Sequence, residues 1–171
     1  MLKESGNMKI LGIDPGVAIV GYGVITSDCG KLKPVDFGQV NSPAHTPLAK
    51  RLKMIYDGIT QLINIHKPDV VAVEELFFNT NVKTAIAVGH ARGVILLAAQ
   101  NSNIPVFEYT PLQIKQAVVG YGRADKNQVQ QMVKMFLNLK EVPKPDDTAD
   151  ALAVAICHAH SASLTDKLGL E

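Results

Sequence analysis

Val70-Val71-Ala72-Val73 contains no polar residue, and a strand without a polar side has to be buried on both faces. A parallel strand in a sheet covered by helices on both sides meets that demand. The flanking sequence supplies the partners. Residues 9–13 form a short apolar run closed by Asp14-Pro15-Gly16, which reads as a strand ending in a turn. Residues 21–25 return as a second strand, and 35–40 read as a third. Leu48, Leu52, Ile55, Ile59 and Leu62 share one helical face, which stops at Lys67-Pro68. Residues 80–100 read as a long helix that is apolar nearly all round, as buried helices are, with Ala85, Gly89 and Gly93 at four-residue steps. A strand at 106–109, helices at 111–119 and 126–137, and a last helix at 147–160 complete the chain. A meander followed by strands alternating with helices predicts an α/β domain, a mixed five-stranded sheet flanked by helices.

The 171 residues suit one domain, and with 47% of them apolar there is enough material for a core and little reason for disorder. No apolar run approaches the roughly 18 residues of a membrane span, so no membrane partner is expected. The polar start, residues 1–7, lacks the plan of a signal peptide and reads as an extension outside the fold, which begins at Met8. Cys29 and Cys157 have no paired spacing for a metal or a disulfide framework, which points to a reducing, cytoplasmic setting. Net charge is only +1, but its distribution is uneven. Between residues 76 and 140 seven Lys or Arg (Lys83, Arg92, Lys115, Arg123, Lys126, Lys134, Lys140) face only Glu108 and Asp125, a net +5 that leaves the rest of the chain at −4. Positive charge that holds phosphates beside carboxylates that hold metal is what a nuclease needs; a solvated helical face gives the same count.

Carboxylates fall at the ends of elements. Asp14 ends the first strand, Glu74 ends the 70–73 strand, and Asp146, Asp147 and Asp150 open the last helix. Strand ends are where α/β sheets build sites. Asp147 and Asp150, three apart, share a face of the first helical turn, and Asp146 with Asp150 at four apart does so too. Converging carboxylates repel one another and need a cation, and hard oxygen donors favour Mg²⁺. Each piece also has an ordinary reading: a turn, a solvated strand end, a complement to the helix dipole.

Order and spacing add what no single motif carries. Ile10-Leu11-Gly12-Ile13-Asp14-Pro15-Gly16, Gly21-Tyr22-Gly23-Val24-Ile25, Val73-Glu74-Glu75-Leu76-Phe77, Ala91-Arg92-Gly93, Val106-Phe107-Glu108-Tyr109, Lys115-Gln116-Ala117-Val118-Val119-Gly120 and Asp147-Thr148-Ala149-Asp150-Ala151-Leu152-Ala153 together resemble the RuvC family, in family order over nearly all of residues 8–160. The resemblance implies a ribonuclease-H-like nuclease domain at 8–161 followed by a tail at 162–171. It also implies Holliday-junction resolution in DNA recombination and repair, by paired nicks that leave 5′-phosphate and 3′-hydroxyl ends. It assigns Asp14, Glu74, Asp147 and Asp150 as ligands of two Mg²⁺ ions per subunit, with Mn²⁺ able to substitute. Asp146 remains a rival for Asp147. Lys115 and Lys126 match the family's phosphate-holding lysines and join the catalytic set. Phe77 matches its base-stacking aromatic, with Phe78 the alternative. Lys83, Arg92 and Arg123 extend the expected DNA contacts. A homodimer acting on four-way junction DNA with a branch-migration motor completes the family picture.

Three other readings share parts of the pattern. The opening Gly12-Ile13-Asp14-Pro15-Gly16 also resembles the phosphate-binding start of actin-like and sugar-kinase ATPases, but those need two such domains. A ribonuclease-H-like nuclease for hybrids would use the same carboxylates, whereas a non-catalytic junction binder would have no use for them. The histidines, His45, His66, His90, His158 and His160, lack ligand spacing and read as structural or surface residues.

Overall fold

A computed structural model of the protein describes residues 7–75 and 82–168. Phe77 and Phe78 lie outside the described residues. Five strands form one sheet, β1 (Met8–Asp14), β2 (Ile19–Asp28), β3 (Lys31–Asn41), β4 (Val70–Glu74) and β5 (Val106–Tyr109), in the order β3-β2-β1-β4-β5. β1, β2 and β3 pair antiparallel, while β4 and β5 continue parallel to β1. The helices are α1 (Leu48–His66), α2 (Val82–Asn101), α3 (Pro111–Val119), α4 (Lys126–Phe136) and α5 (Asp146–Leu168). The mixed five-stranded α/β architecture is the one expected.

Alternation along the strands divides the core into two layers. Leu11, Ile13, Val71 and Val73 point to one side and pack with Ile55 and Ile59 of α1 and Ala91 and Ile95 of α2. Ile10, Val70 and Ala72 point to the other side and meet Leu152 and Ile156 of α5, Ile114 of α3 and Val133 of α4. Val70 to Val73 are all buried, as their composition required.

α5 lies unusually close to the sheet. A Cβ on Gly12 would stand 2.3 Å from the Ala151 carbonyl oxygen, and one on Gly21 would stand 2.0 Å from that of Asp147. No side chain fits there, so the two glycines let the helix start directly over the ends of β1 and β2. The Thr148 hydroxyl, fully buried, donates to the Gly38 carbonyl at 3.1 Å and ties the first turn of α5 to β3.

Four elements differ from expectation. β2 and β3 run further, because Cys29 (φ 46°) and Gly30 (φ 83°) make a tight reversal at Asp28–Lys31. Left-handed conformation at both central residues is the hairpin geometry that matches strand twist, and Cys-Gly is not its usual sequence. α2 is not buried all round. Its inner face, Ala91, Ile95, Ala98 and Ala99, is covered, but Val82, Ile86 and Leu97 are 68, 54 and 51% exposed. Among the described residues it is the one helix long and apolar enough to cross a membrane; here its inner face is part of the core. The last helix continues past the expected end at residue 160, to Leu168.

Candidate active site

The row of residues at one end of the sheet sets the geometry. Across the strands, Tyr109 pairs with Glu74 and Asp14 pairs with Gly21, while Glu74 follows Val73, the partner of Ile13. Asp14 and Glu74 therefore sit side by side on the α5 face. α5 brings Asp147 and Asp150 over them from its first turn.

The electrostatics show how close this assembly is. The Asp14 carboxyl is pushed up to about 9, first by burial, then by repulsion from Glu74 and Asp150, by a hydrogen bond shared with Glu74, and by Asp147. Burial also raises Glu74, although the Asp14 hydrogen bond, Lys126 and Lys115 act in the opposite direction. Burial raises Asp150 as well, against the pull of Lys126. Three carboxyls held above their ordinary range at one point are an unbalanced cluster: desolvation opposes their charge, and only a proton or a cation relieves it.

The lysines are set by capped helices. Thr110 and Gln113 form a capping box with Pro111 at the first position of α3, which carries Lys115. Asp125 and Gln128 do the same for α4, whose first residue is Lys126. Lys126 Nζ lies 3.1 Å from Asp150 and 3.5 Å from Asp146. Burial works against its charge, but the hydrogen bond and attraction of Asp150 outweigh that and raise its pKa. Glu74, Asp150, Lys115 and Lys126 line a cavity of about 240 Å³ with an apolar wall of Ile114, Val129 and Ala153.

Asp146 and Asp147 are separated by their neighbours. Asp146 bonds Lys144 at 3.0 Å, is held below the usual carboxylate range by that bond and by Gln130, and faces the lysines. Asp147 is the one whose charge reaches Asp14. Among the described residues no three His, Cys, Asp or Glu side chains already stand as a metal-ligand cluster; Asp14 shares a hydrogen bond with Glu74, and the Lys126 ammonium occupies the side of Asp150. Donor type and charge nevertheless fit a hard divalent cation: four carboxylates, with hardly any other counter-charge than Lys126 and Lys115.

Of the other expected DNA contacts, Lys83 and Arg123 are exposed. Arg92 is not free. Its guanidinium pairs with Glu108 at 2.6 Å, and Glu108, partner of Val73, points to the face opposite Asp14. The histidines described by contacts are structural. His158 is buried against the Tyr109 hydroxyl (2.8 Å) and lowered to about 4 by that burial, His160 bonds the Ala117 carbonyl, and His66 pairs with Asp36. Sequence reasoning missed the Tyr109–His158 link between β5 and α5. Nothing in the spacing of those two residues announces it.

The model of the family described as crossover junction endodeoxyribonuclease RuvC matches residues 10–158. A curated relative of that name from Desulfitobacterium hafniense is 62% identical over 162 residues, covering 95% of this chain and 98% of the relative. Another, from Clostridioides difficile, is 62% identical over 161 residues, covering 94% and 95%. Among solved structures, T. thermophilus RuvC in complex with a Holliday junction substrate superposes with a TM-score of 0.87 at 38% identity, covering 92% of this chain and 96% of that one. The yeast mitochondrial Holliday junction resolvase, at 14% identity over 94% of this chain and 83% of that one, shares the fold with a TM-score of 0.70. With matches of this identity running almost end to end, the chain belongs to the crossover junction endodeoxyribonuclease RuvC family.

Proposed function

We propose that the protein is a Holliday-junction resolvase, a structure-selective endonuclease that hydrolyses phosphodiesters in paired, symmetric nicks of four-way DNA junctions during recombination and repair, leaving 5′-phosphate and 3′-hydroxyl ends. The observation that carries this reading is the convergence of Asp14, Glu74, Asp147 and Asp150 beside a cavity rimmed by Lys115 and Lys126, in a chain 62% identical to named RuvC endonucleases. Nucleases of the family depend on divalent metal. Here Asp14, Glu74, Asp147 and Asp150 would hold two Mg²⁺ ions, with Mn²⁺ as a substitute, and such ions supply charge neutralisation and Lewis acidity to phosphodiester hydrolysis.

The chain's own residues do the rest. Asp14, the most deeply placed carboxylate, sets the depth of the site, and the fixed start of α5 holds Asp147 and Asp150 at its rim. Lys115 and Lys126, on the rim of the cavity, bind the phosphate next to the cut. Lys83, Arg123 and, stacking on unpaired bases, Phe77 serve the junction arms. The exposed Val82, Ile86 and Leu97 of α2, with open space beside Gly93, support a homodimer through this helix. A branch-migration motor is the expected working partner and the cytoplasm the expected setting.

A cleavage assay tests the reading. In Mg²⁺ the protein should cut a four-way junction, leave duplex and single-stranded DNA of the same sequence nearly intact, and lose activity with a chelator. Ca²⁺, with its looser coordination, should support binding with little cutting. Equal cutting of an RNA–DNA hybrid, or cutting that survives chelation, would contradict it.

A further inference from the structure

The Asp14 carboxylate leads directly into a four-residue loop, 15–18, that returns the chain to β2. Ser42, only 3% exposed, sits just past the end of β3. Its N–H donates to the Ala18 carbonyl at 2.9 Å and its hydroxyl donates to the Val17 carbonyl. Arg51, in the first turn of α1, closes on Ser42 from the other side: Nε donates to Oγ at 3.0 Å and Nη2 donates to the Ser42 carbonyl at 3.2 Å. Among the described residues no carboxylate pairs with this guanidinium.

A serine hydroxyl has one proton and rotates freely unless something fixes it. By donating to Oγ, the Arg51 Nε–H occupies a lone pair and leaves the hydroxyl proton directed at Val17. The second arm of the fork holds the serine backbone. A lysine ammonium could supply the charge but not two donors in a fixed plane. The loop is thus held by two bonds from one buried residue, which is itself held by two bonds from one arginine.

We infer that Arg51 is a positioning residue: acting through Ser42, it latches the 15–18 loop and so fixes the Asp14 carboxylate for strand cleavage. This rests on the resolvase reading for its catalytic consequence, while the latch itself can be observed without DNA or metal. Arg51→Ala and Arg51→Lys should each speed exchange of the Ser42 amide about tenfold or more in the metal-free protein, as loss of one or two hydrogen bonds does. Both should lower the single-turnover cleavage rate by about tenfold or more and leave junction Kd within about twofold, because positioning is lost and binding is not. Ser42→Ala, which keeps the backbone N–H bond of residue 42 to the Ala18 carbonyl and the Arg51–carbonyl bond, should fall between them and wild type.

The outcomes are distinct. Arg51→Lys matching wild type in both exchange and cleavage rate overturns the latch. So does a defect confined to junction affinity that lysine repairs, since that is a phosphate contact. Should Arg51→Ala fail to fold, the lysine and Ser42→Ala variants carry the same test. If wild-type protein itself does not cut junctions, the resolvase reading fails, and the exchange measurement still decides whether Arg51 holds the loop.

Discussion

Asp14 carries the largest electrostatic burden of any described residue. With its pKa pushed up to about 9, it is protonated in the folded, metal-free protein at neutral pH and ionised in the unfolded chain above about 4. A raised carboxyl pKa means the folded state binds the extra proton, so metal-free stability should fall as pH rises from about 4 toward 9. Asp14→Asn removes that dependence. It should stabilise the metal-free protein at pH 7 by about 1–3 kcal/mol in urea titrations, abolish cleavage, and leave junction binding intact or tighter. Near wild-type cutting by this variant would remove Asp14 from the site. His158 works in the opposite sense to a paired histidine. Burial lowers it to about 4, so its neutral form is stabilising above the unfolded value near 6.5. That contribution, roughly 2–3 kcal/mol, is lost as pH falls from about 6.5 to 4 and the unfolded chain takes up the proton. Denaturant titrations at pH 7 and 4.5 should show the loss, and a His158→Gln variant should lack most of it. At this scale the sequence was legible where chemistry demands a charge at an element end: Asp14, Glu74 and Asp150 could be named because a strand ends or a helix begins there. Arg92 could not be judged, since only the fold reveals that Glu108 faces it from β5.

The elements show why the site is rigid. α5 supplies both Asp147 and Asp150, and its distance from the sheet is set by Gly12 and Gly21. Gly12→Ala would drive a methyl group into the Ala151 carbonyl, which is backbone and cannot rotate away. It should cost about 1–3 kcal/mol or more in stability and reduce cleavage at temperatures where the protein is still folded, because the helix carrying two carboxylates is displaced. Stability and rate both unchanged in this variant would mean that α5 has more freedom than its packing implies. All ten elements were readable from period and punctuation, since Leu48, Leu52, Ile55 and Ile59 or the Val70–Val73 run admit few alternatives. Extent was harder. Cys29-Gly30 lacks the Asn-Gly signature of its turn, so the β2–β3 hairpin looked shorter than it is. The apolar circumference of α2 suggested a buried helix, but hydrophobic pattern alone cannot tell a core neighbour from one supplied by another chain.

For the whole molecule, that unpartnered face bears on how a junction is resolved. A four-way junction has two opposed strands to cut, and a single site leaves it joined. The proposed dimer would bury Val82, Ile86 and Leu97 across a two-fold axis and so present one site to each strand. Ile86→Arg and Leu97→Arg, both on exposed positions, should leave the fold stable to within about 1 kcal/mol and shift sedimentation from dimer to monomer; a wild-type protein that sediments as a monomer would exclude this assembly. The central claim is that each subunit holds one complete four-carboxylate site that cuts one strand. It is tested most directly with mixed dimers of one wild-type and one Asp14→Asn subunit on a four-way junction in Mg²⁺. The account predicts nicking of a single strand with little release of separated duplexes, against full resolution by the wild-type dimer; mixed dimers that resolve junctions as well as wild type would contradict it.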